Sequence, residues 1–219
     1  MTCAARSPLM GAAPAPCSPS DDPPLSWSQT TALMGSDFTR LMEVMGGEPT
    51  LAKRVFWFLL PGYQALFWYR LSRWLYLKHW RSASRLLFLF SIYWTRIEIP
   101  PTTAIGAACF LGHAPMVLCG RIGERFTHYG DGGTGGGMQE GDIGGGPDLP
   151  VIGNDVVFAI RAMALGPIHI GDGARLGPTC TVTRDVPAGA VVAAAAARIL
   201  ARPETAHTSH SSHSSVSAA

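Results

Sequence analysis

Glu98 and His113 place a carboxylate and an imidazole 15 residues apart. An imidazole titrates near neutrality, so it can take a proton from a hydroxyl as that hydroxyl attacks a carbonyl. A carboxylate on the far ring nitrogen would fix the tautomer and stabilise the imidazolium. Read alone, His113 is equally a surface or core-edge histidine, and Glu98 equally an acid that ends a helix or pairs with Arg96. No cysteine or serine pairs obviously with His113, so an acyl-enzyme is not expected. The five cysteines (Cys3, Cys17, Cys109, Cys119, Cys180) suit neither a disulfide framework nor a C-x-x-C metal site, and their scatter fits a reducing compartment.

Two further clusters could do chemistry. From Gly130 to Gly146, 10 of 17 residues are glycine. Gly130-Asp131-Gly132-Gly133-Thr134-Gly135 is formally a G-x-G-x-x-G, but more glycines follow where a dinucleotide site needs a helix, and no Gly-Lys-Ser/Thr follows for a P-loop. His113, His128 and His169 could suggest a metal-binding β-coil, yet His128 sits on an inward-type position and His169 just before one. They would not converge, and no metal is expected. His207, His210 and His213 fall in a polar Ser/His-rich tail, expected to be disordered.

The elements that must hold these groups show a period of six. Ile152, Phe158, Ala164, Ile170, Leu176 and Val182 keep it without a slip, usually with a small residue next. Ile105, Leu111 and Val117 keep it upstream, and it restarts at Ile122, His128 and Thr134. A helix or a flat strand has no such period. A coil of three short parallel strands does, with the apolar residue inward and the small residue at the corner; stacked coils bury a column that no single repeat could bury. One turn is about three hexads, so Glu98 and His113 could stack on neighbouring turns. The glycine-rich stretch is expected to interrupt the coil as an irregular insert.

Four units are expected: a disordered segment over 1–28, a helical domain over 29–97, the coil over 98–200 and a disordered tail over 201–219. Ser36 is expected to cap a helix over 36–46, with Phe38, Leu41, Met42 and Met45 on one face. Thr50 opens a second helix and Pro61-Gly62 breaks it. A third runs from about Tyr63 to Leu77, with Leu66, Tyr69, Arg70, Arg73 and Leu77 marking successive turns. A fourth runs from about Ser82 to Tyr93. Lys53 to Arg96 contains eight Lys/Arg and no Asp or Glu, with five tryptophans. Such a module reads either as a helical unit packed on the coil and its copies, or as an interfacial element with aromatic rings at headgroup depth and basic groups on anionic lipid. The apolar run over 55–69 is short for a membrane span and is broken by proline. No secretory signal is read at the N-terminus.

The hexads, a histidine on an early coil, the glycine-rich insert and the closing Asp185-Val186-Pro187-Ala188-Gly189-Ala190-Val191-Val192 together resemble the serine acetyltransferase family. So does Gly166-Pro167-Ile168-His169-Ile170-Gly171-Asp172-Gly173-Ala174-Arg175-Leu176-Gly177. The resemblance spans roughly 36–200. It implies a mainly β fold, a left-handed parallel β-helix preceded by a small helical domain. It implies acetyl transfer from acetyl-CoA to a hydroxyl, nominally L-serine for cysteine biosynthesis, in a cytoplasmic homotrimer or larger. By position, His113 would be the general base and Glu98 its orienting partner. Gly132, Gly133, Thr134 and Gly135 would form a loop beside the thioester arm. Arg175, Arg184 and Arg198 are candidates for the anionic end of CoA, and Asp148 and Leu149 stand where the family binds the substrate carboxylate.

Several residues depart from the family pattern. Asp148-Leu149 replaces the family's Arg-His before Pro150, and Pro100-Pro101 replaces its His-Pro. Both changes suit a branch resembling polysaccharide O-acetyltransferases, with a sugar hydroxyl as acceptor and residues 51–97 in peripheral membrane contact. The segment from His113 to Ile122 is about three residues shorter than the family's, and Ala194 to Ala197 replaces its Gly-x-Pro-Ala. A β-helix scaffold without activity is a further alternative. Family members that bind a cysteine synthase end in isoleucine; this chain ends Ser217-Ala218-Ala219, so that partner is not expected, and neither is nucleic acid.

Overall fold

The structure is a computed structural model, and it describes residues 22–46, 50–136 and 149–195. Four helices come first: α1 (Trp27–Met45), α2 (Leu51–Phe58), α3 (Pro61–Leu77) and α4 (Arg81–Thr95). The expected first helix starts earlier than Ser36. Ser26 caps it: its hydroxyl accepts from the Gln29 N–H while the Gln29 side chain accepts from the Ser26 N–H. This S-x-x-Q capping box is a sequence signal that the reading from Ser36 passed over. Thr50 caps α2 as expected. Pro61 starts α3 directly, at a position where its missing N–H costs nothing. Gly62 then does more than break a helix. A Cβ there would lie 1.9 Å from the Leu111 carbonyl oxygen, so only glycine lets α3 begin against the coil.

Arg96 turns the chain out of α4 in left-handed geometry, φ 60°, into β1 (Ile97–Glu98). The coil continues through β2 (Ala104–Ile105), β3 (Phe110–Leu118), β4 (Arg121–Ile122), β5 (Thr127–Gly135), β6 (Val151–Ile152), β7 (Val157–Phe158), β8 (Met163–Leu165), β9 (His169–Ile170), β10 (Arg175–Leu176), β11 (Thr181–Val182) and β12 (Val191–Val192). All pairings are parallel and build three sides. The first side stacks the opening residues of β3 and β5 on β7, β10 and β12. The second stacks β1, the ends of β3 and β5, β8 and β11. The third is β2-β4-β6-β9, extended by a bridge from Ile170 to Val186. The result is the expected parallel β-helix.

The hexad residues Ile105, Leu111, Ile122, Ile152, Phe158, Ala164, Ile170, Leu176 and Val182 all lie buried in one continuous core. Full burial of such side chains contributes about 1.5–3 kcal/mol each for the larger ones. Val117 departs from the reading: it is 41% exposed while Met116 and Leu118 point inward. The pairing of β3 with β5 shifts between His113 and Met116, so an alternation read straight through that segment lands on the wrong face.

Buried polar contacts bind the helices to the first turns. Arg70 Nε and Nη2 donate to the Asp37 carboxylate at 2.9 and 3.2 Å. Arg70 Nη1 and Nη2 donate to the Ile105 and Gly106 carbonyls, both at 2.6 Å. Asp37 Oδ1 also accepts the Cys109 N–H at 2.9 Å. Burial raises the Asp37 pKa, and Arg70 with the Cys109 N–H opposes that rise; the bidentate geometry keeps the pair ionised. Tyr69 donates its hydroxyl to the Thr103 carbonyl at 2.7 Å and accepts the Ile105 N–H at 3.2 Å. Arg73 Nη1 donates to the carbonyls of Pro101 and Thr103. The helical turns marked by Tyr69, Arg70 and Arg73 are therefore a docking seam.

Candidate active site

Glu98 and His113 lie on successive turns, as the spacing implies, but not in register. Glu98 pairs with Val117, and His113 pairs with Gly130 on the following turn. Between His113 and its side of the prism lies the irregular segment of Ala114 and Pro115, joined by a cis peptide. His113 is exposed and Glu98 is half-buried. Glu98 lines a cleft of about 320 Å³ with Arg96, Pro115, Val117, Asp131 and Gly132. His113 precedes Pro115 by two residues but does not line that cleft, and among the described residues no hydrogen bond joins it to Glu98. Glu98 makes no ion pair with Arg96 either, although both line the cleft.

Gly132, Gly133, Thr134 and Gly135 are not a loop: they are the second half of β5, inside the coil. The cause is backbone packing. Gly133 has φ +136°, and a Cβ there would lie 1.8 Å from the Val117 carbonyl oxygen. The turns close on each other only without a side chain at that point. Thr134 is buried; its hydroxyl donates to the Cys119 carbonyl at 2.7 Å and accepts the Cys119 N–H at 2.9 Å. Burial, with the Glu98 charge second, pushes the Cys119 thiol up to about 11. Cys119 is therefore protonated at neutral pH and is a poor nucleophile.

The remaining expected positions are spread over the coil. Arg175 is exposed on the first side, and Arg184 is exposed after β11; neither lines the cleft beside Glu98. Leu149 is buried, its Cβ 3.4 Å from where a Cβ on Gly120 would stand. Asp148, Arg198, the glycines from 137 to 146 and the tail histidines lie outside the described residues. His128 is fully buried between Phe126 and Phe158, whereas His169 is exposed. Arg96 and Asp131 are the cleft residues that sequence reasoning missed. The sequence offers Arg96 only as a possible partner of Glu98, and Asp131 only as a member of the formal G-x-G-x-x-G. Asp131 holds left-handed geometry, φ 52°, and pairs with Arg161 at 2.6 Å.

No family model matches the chain. Against curated proteins it is 32% identical over 177 residues to the serine acetyltransferase of Mycobacterium tuberculosis, covering 80% of this chain and 74% of that one. It is 34% identical over 147 residues to the serine acetyltransferase of Helicobacter pylori strain J99, covering 66% of this chain and 84% of that one. The chain belongs to the serine acetyltransferase family. Solved structures agree on the fold of this serine acetyltransferase relative. Isoform 3 from Entamoeba histolytica, in complex with cysteine, superposes with TM-score 0.67 at 22% identity, covering 80% of this chain and 62% of that one. The Neisseria gonorrhoeae enzyme gives 0.66 at 24%, covering 78% and 68%.

Proposed function

We propose that this chain is an acetyl-CoA-dependent serine O-acetyltransferase. The observation that carries the reading is family membership, combined with an exposed imidazole one turn of the coil after the carboxylate that lines the cleft. His113 acts as general base and Glu98 as its orienting partner. The serine hydroxyl oxygen attacks the thioester carbonyl as its proton passes to the imidazole. The O–C bond forms, the C–S bond breaks, and the imidazolium returns the proton to the departing CoA thiolate. No acyl-enzyme forms, and the protonation of Cys119 supports that. Gly132 and Gly133 give the thioester arm a wall of main chain, and Arg175, Arg184 and Arg198 meet the anionic end of CoA. Asp148 and Leu149 flank the acceptor.

The chain works in the cytoplasm as a homotrimer or larger, with residues 51–97 as the part that makes any peripheral membrane contact. Asp148 is the observation that favours a second acceptor class, since a carboxylate at that position repels an amino-acid carboxylate. Thiol release from acetyl-CoA is the test, with L-serine, with sugar acceptors and with neither. Release with L-serine alone establishes the reading. Release with sugars alone transfers it to a sugar hydroxyl, and no release with any acceptor leaves a scaffold.

A further inference from the structure

Helix α4 is inside out. It turns Ser84, Ser91 and Thr95 inward, all buried, with Ser84 and Ser72 exchanging hydroxyl and carbonyl hydrogen bonds at 2.8 to 3.1 Å. It turns Leu86 (70% exposed), Leu89, Phe90 and Tyr93 (86% exposed) outward. Those four fall at i, i+3, i+4 and i+7, so they form one stripe. Trp94, beside the stripe, is 65% exposed and stacks on Phe90 with ring centroids 6.2 Å apart. A helix in water hides its large apolar side chains; this one fully buries three hydroxyls and leaves even Leu87, Phe88 and Ile92 only half-buried.

The stripe does not stop at α4. A chain of ring contacts carries it across the module: Phe90 to Trp68 at 5.1 Å, Trp68 to Phe67 at 5.1 Å, and Phe67 to Phe58 at 5.7 Å. Phe58 belongs to α2, which exposes Val55 and Phe56, and Leu59 just after it is exposed as well. The exposed surfaces of α2 and α4 are thus joined by an aromatic track over α3. Lys53, Arg54, Lys78, Arg81, Arg85 and Arg96 are all exposed around it, and no Asp or Glu occurs between Lys53 and Arg96.

We propose that this face docks on an anionic phospholipid surface. Charge selects the occupant. A second copy that met this face with any part of its own basic module would set arginine and lysine against arginine and lysine, with no Asp or Glu of residues 53–96 between them. An anionic bilayer presents negative charge to the exposed arginines and lysines, and its headgroup layer accepts Trp and Tyr rings with aliphatic side chains beneath them. No helix among the described residues is long and apolar enough to cross a membrane, so the contact is peripheral. This inference takes up the membrane contact named above and is independent of acetyl transfer, so the two fail separately.

The test is sedimentation of the full chain with phosphatidylglycerol-containing vesicles and with pure phosphatidylcholine vesicles, alongside light scattering for its mass. Binding to the anionic vesicles is expected, and it weakens as salt rises from roughly 0.1 to about 0.5 M because screening shortens. The Leu86→Glu/Trp94→Glu variant changes two exposed side chains, so it folds; it is expected to lose at least tenfold of the vesicle binding while its thiol-release rate and its mass stay unchanged. Absence of binding at low salt overturns the proposal. So does equal binding to phosphatidylcholine. A fall in assembly mass in the variant does the same, because it makes the face a subunit interface.

Discussion

Glu98 is in register with Val117, and His113 sits four residues upstream of that partner on the same strand. The Ala114–Pro115 irregularity thus separates the imidazole along the strand from the position that pairs with the carboxylate's residue. His113→Ala is expected to lower kcat/KM for acetyl transfer by about 10²–10⁴-fold, the range for a lost general base. A rate unchanged in this variant removes His113 from the chemistry.

Glu98→Gln is expected to lower kcat/KM less than His113→Ala does, because it removes an orienting carboxylate and leaves the base in place. A rate unchanged in this variant would mean that Glu98 only lines the cleft.

Asp37→Ala is expected to cost about 3–5 kcal/mol in unfolding by urea, since it leaves a buried guanidinium without its counter-charge. It also leaves the Cys109 N–H without its acceptor. Asp37→Asn should cost less, because an amide oxygen can still accept that bond. Equal stability of Asp37→Ala and wild type would show that the seam between helices and coil is held by its apolar contacts alone.

His128 gives the coil a pH dependence of definite sign. Its burial between two phenylalanines lowers its pKa from 6.5 to about 4, and its Nδ1 accepts the Gly130 N–H at 2.9 Å. The unfolded chain takes up this proton below pH 6.5 and the folded chain does so only near 4. The neutral ring's contribution is therefore complete above 6.5 and is lost as pH falls through that window, on the order of 3 kcal/mol in full. Urea unfolding at successive pH values should show this loss for wild type and a flatter curve for His128→Leu. Parallel curves for the two proteins would assign the acid sensitivity to other groups.

Gly133→Ala is expected to disrupt the cleft wall and the fold together. The added methyl meets the Val117 carbonyl at 1.8 Å and its φ is +136°, so strand β3 must move. A lowered melting temperature with weakened CoA binding by calorimetry is the expected pair of results. A variant with unaltered melting and CoA binding would mean that β3 and β5 separate at that point without consequence.

Much of the coil was legible because a period of six has one good physical explanation, and the inward residues from Ile152 to Val182 follow it. Thr50 was legible as a cap and the third helix from the spacing of its turns, whereas Pro61, read as a break, opens α3. Val117 was not, since a register shift at residues 114–115 leaves no mark in a hydrophobic count. The docking role of Arg70 and Arg73 was hidden for a related reason: their partners are Asp37 and main-chain carbonyls far along the sequence. Of the site, the types and spacing of Glu98 and His113 were readable. The cleft neighbours Arg96 and Asp131 were not, because proximity across turns depends on that shifted register.

The β-helix has two unlike ends. At β1 it is gripped by Tyr69, Arg70 and Arg73 through the main chain of residues 101–106. At β12, the last strand among the described residues, two residues pair there with β10 alone, and Val191 is largely exposed. In a stack where each turn leans on its neighbour, opening begins where fewest neighbours lean. Amide hydrogen exchange should therefore run as a gradient, fastest at the carboxyl-terminal turn and slowest under the helices. The prism frays from one end, like a rope whipped only at the other.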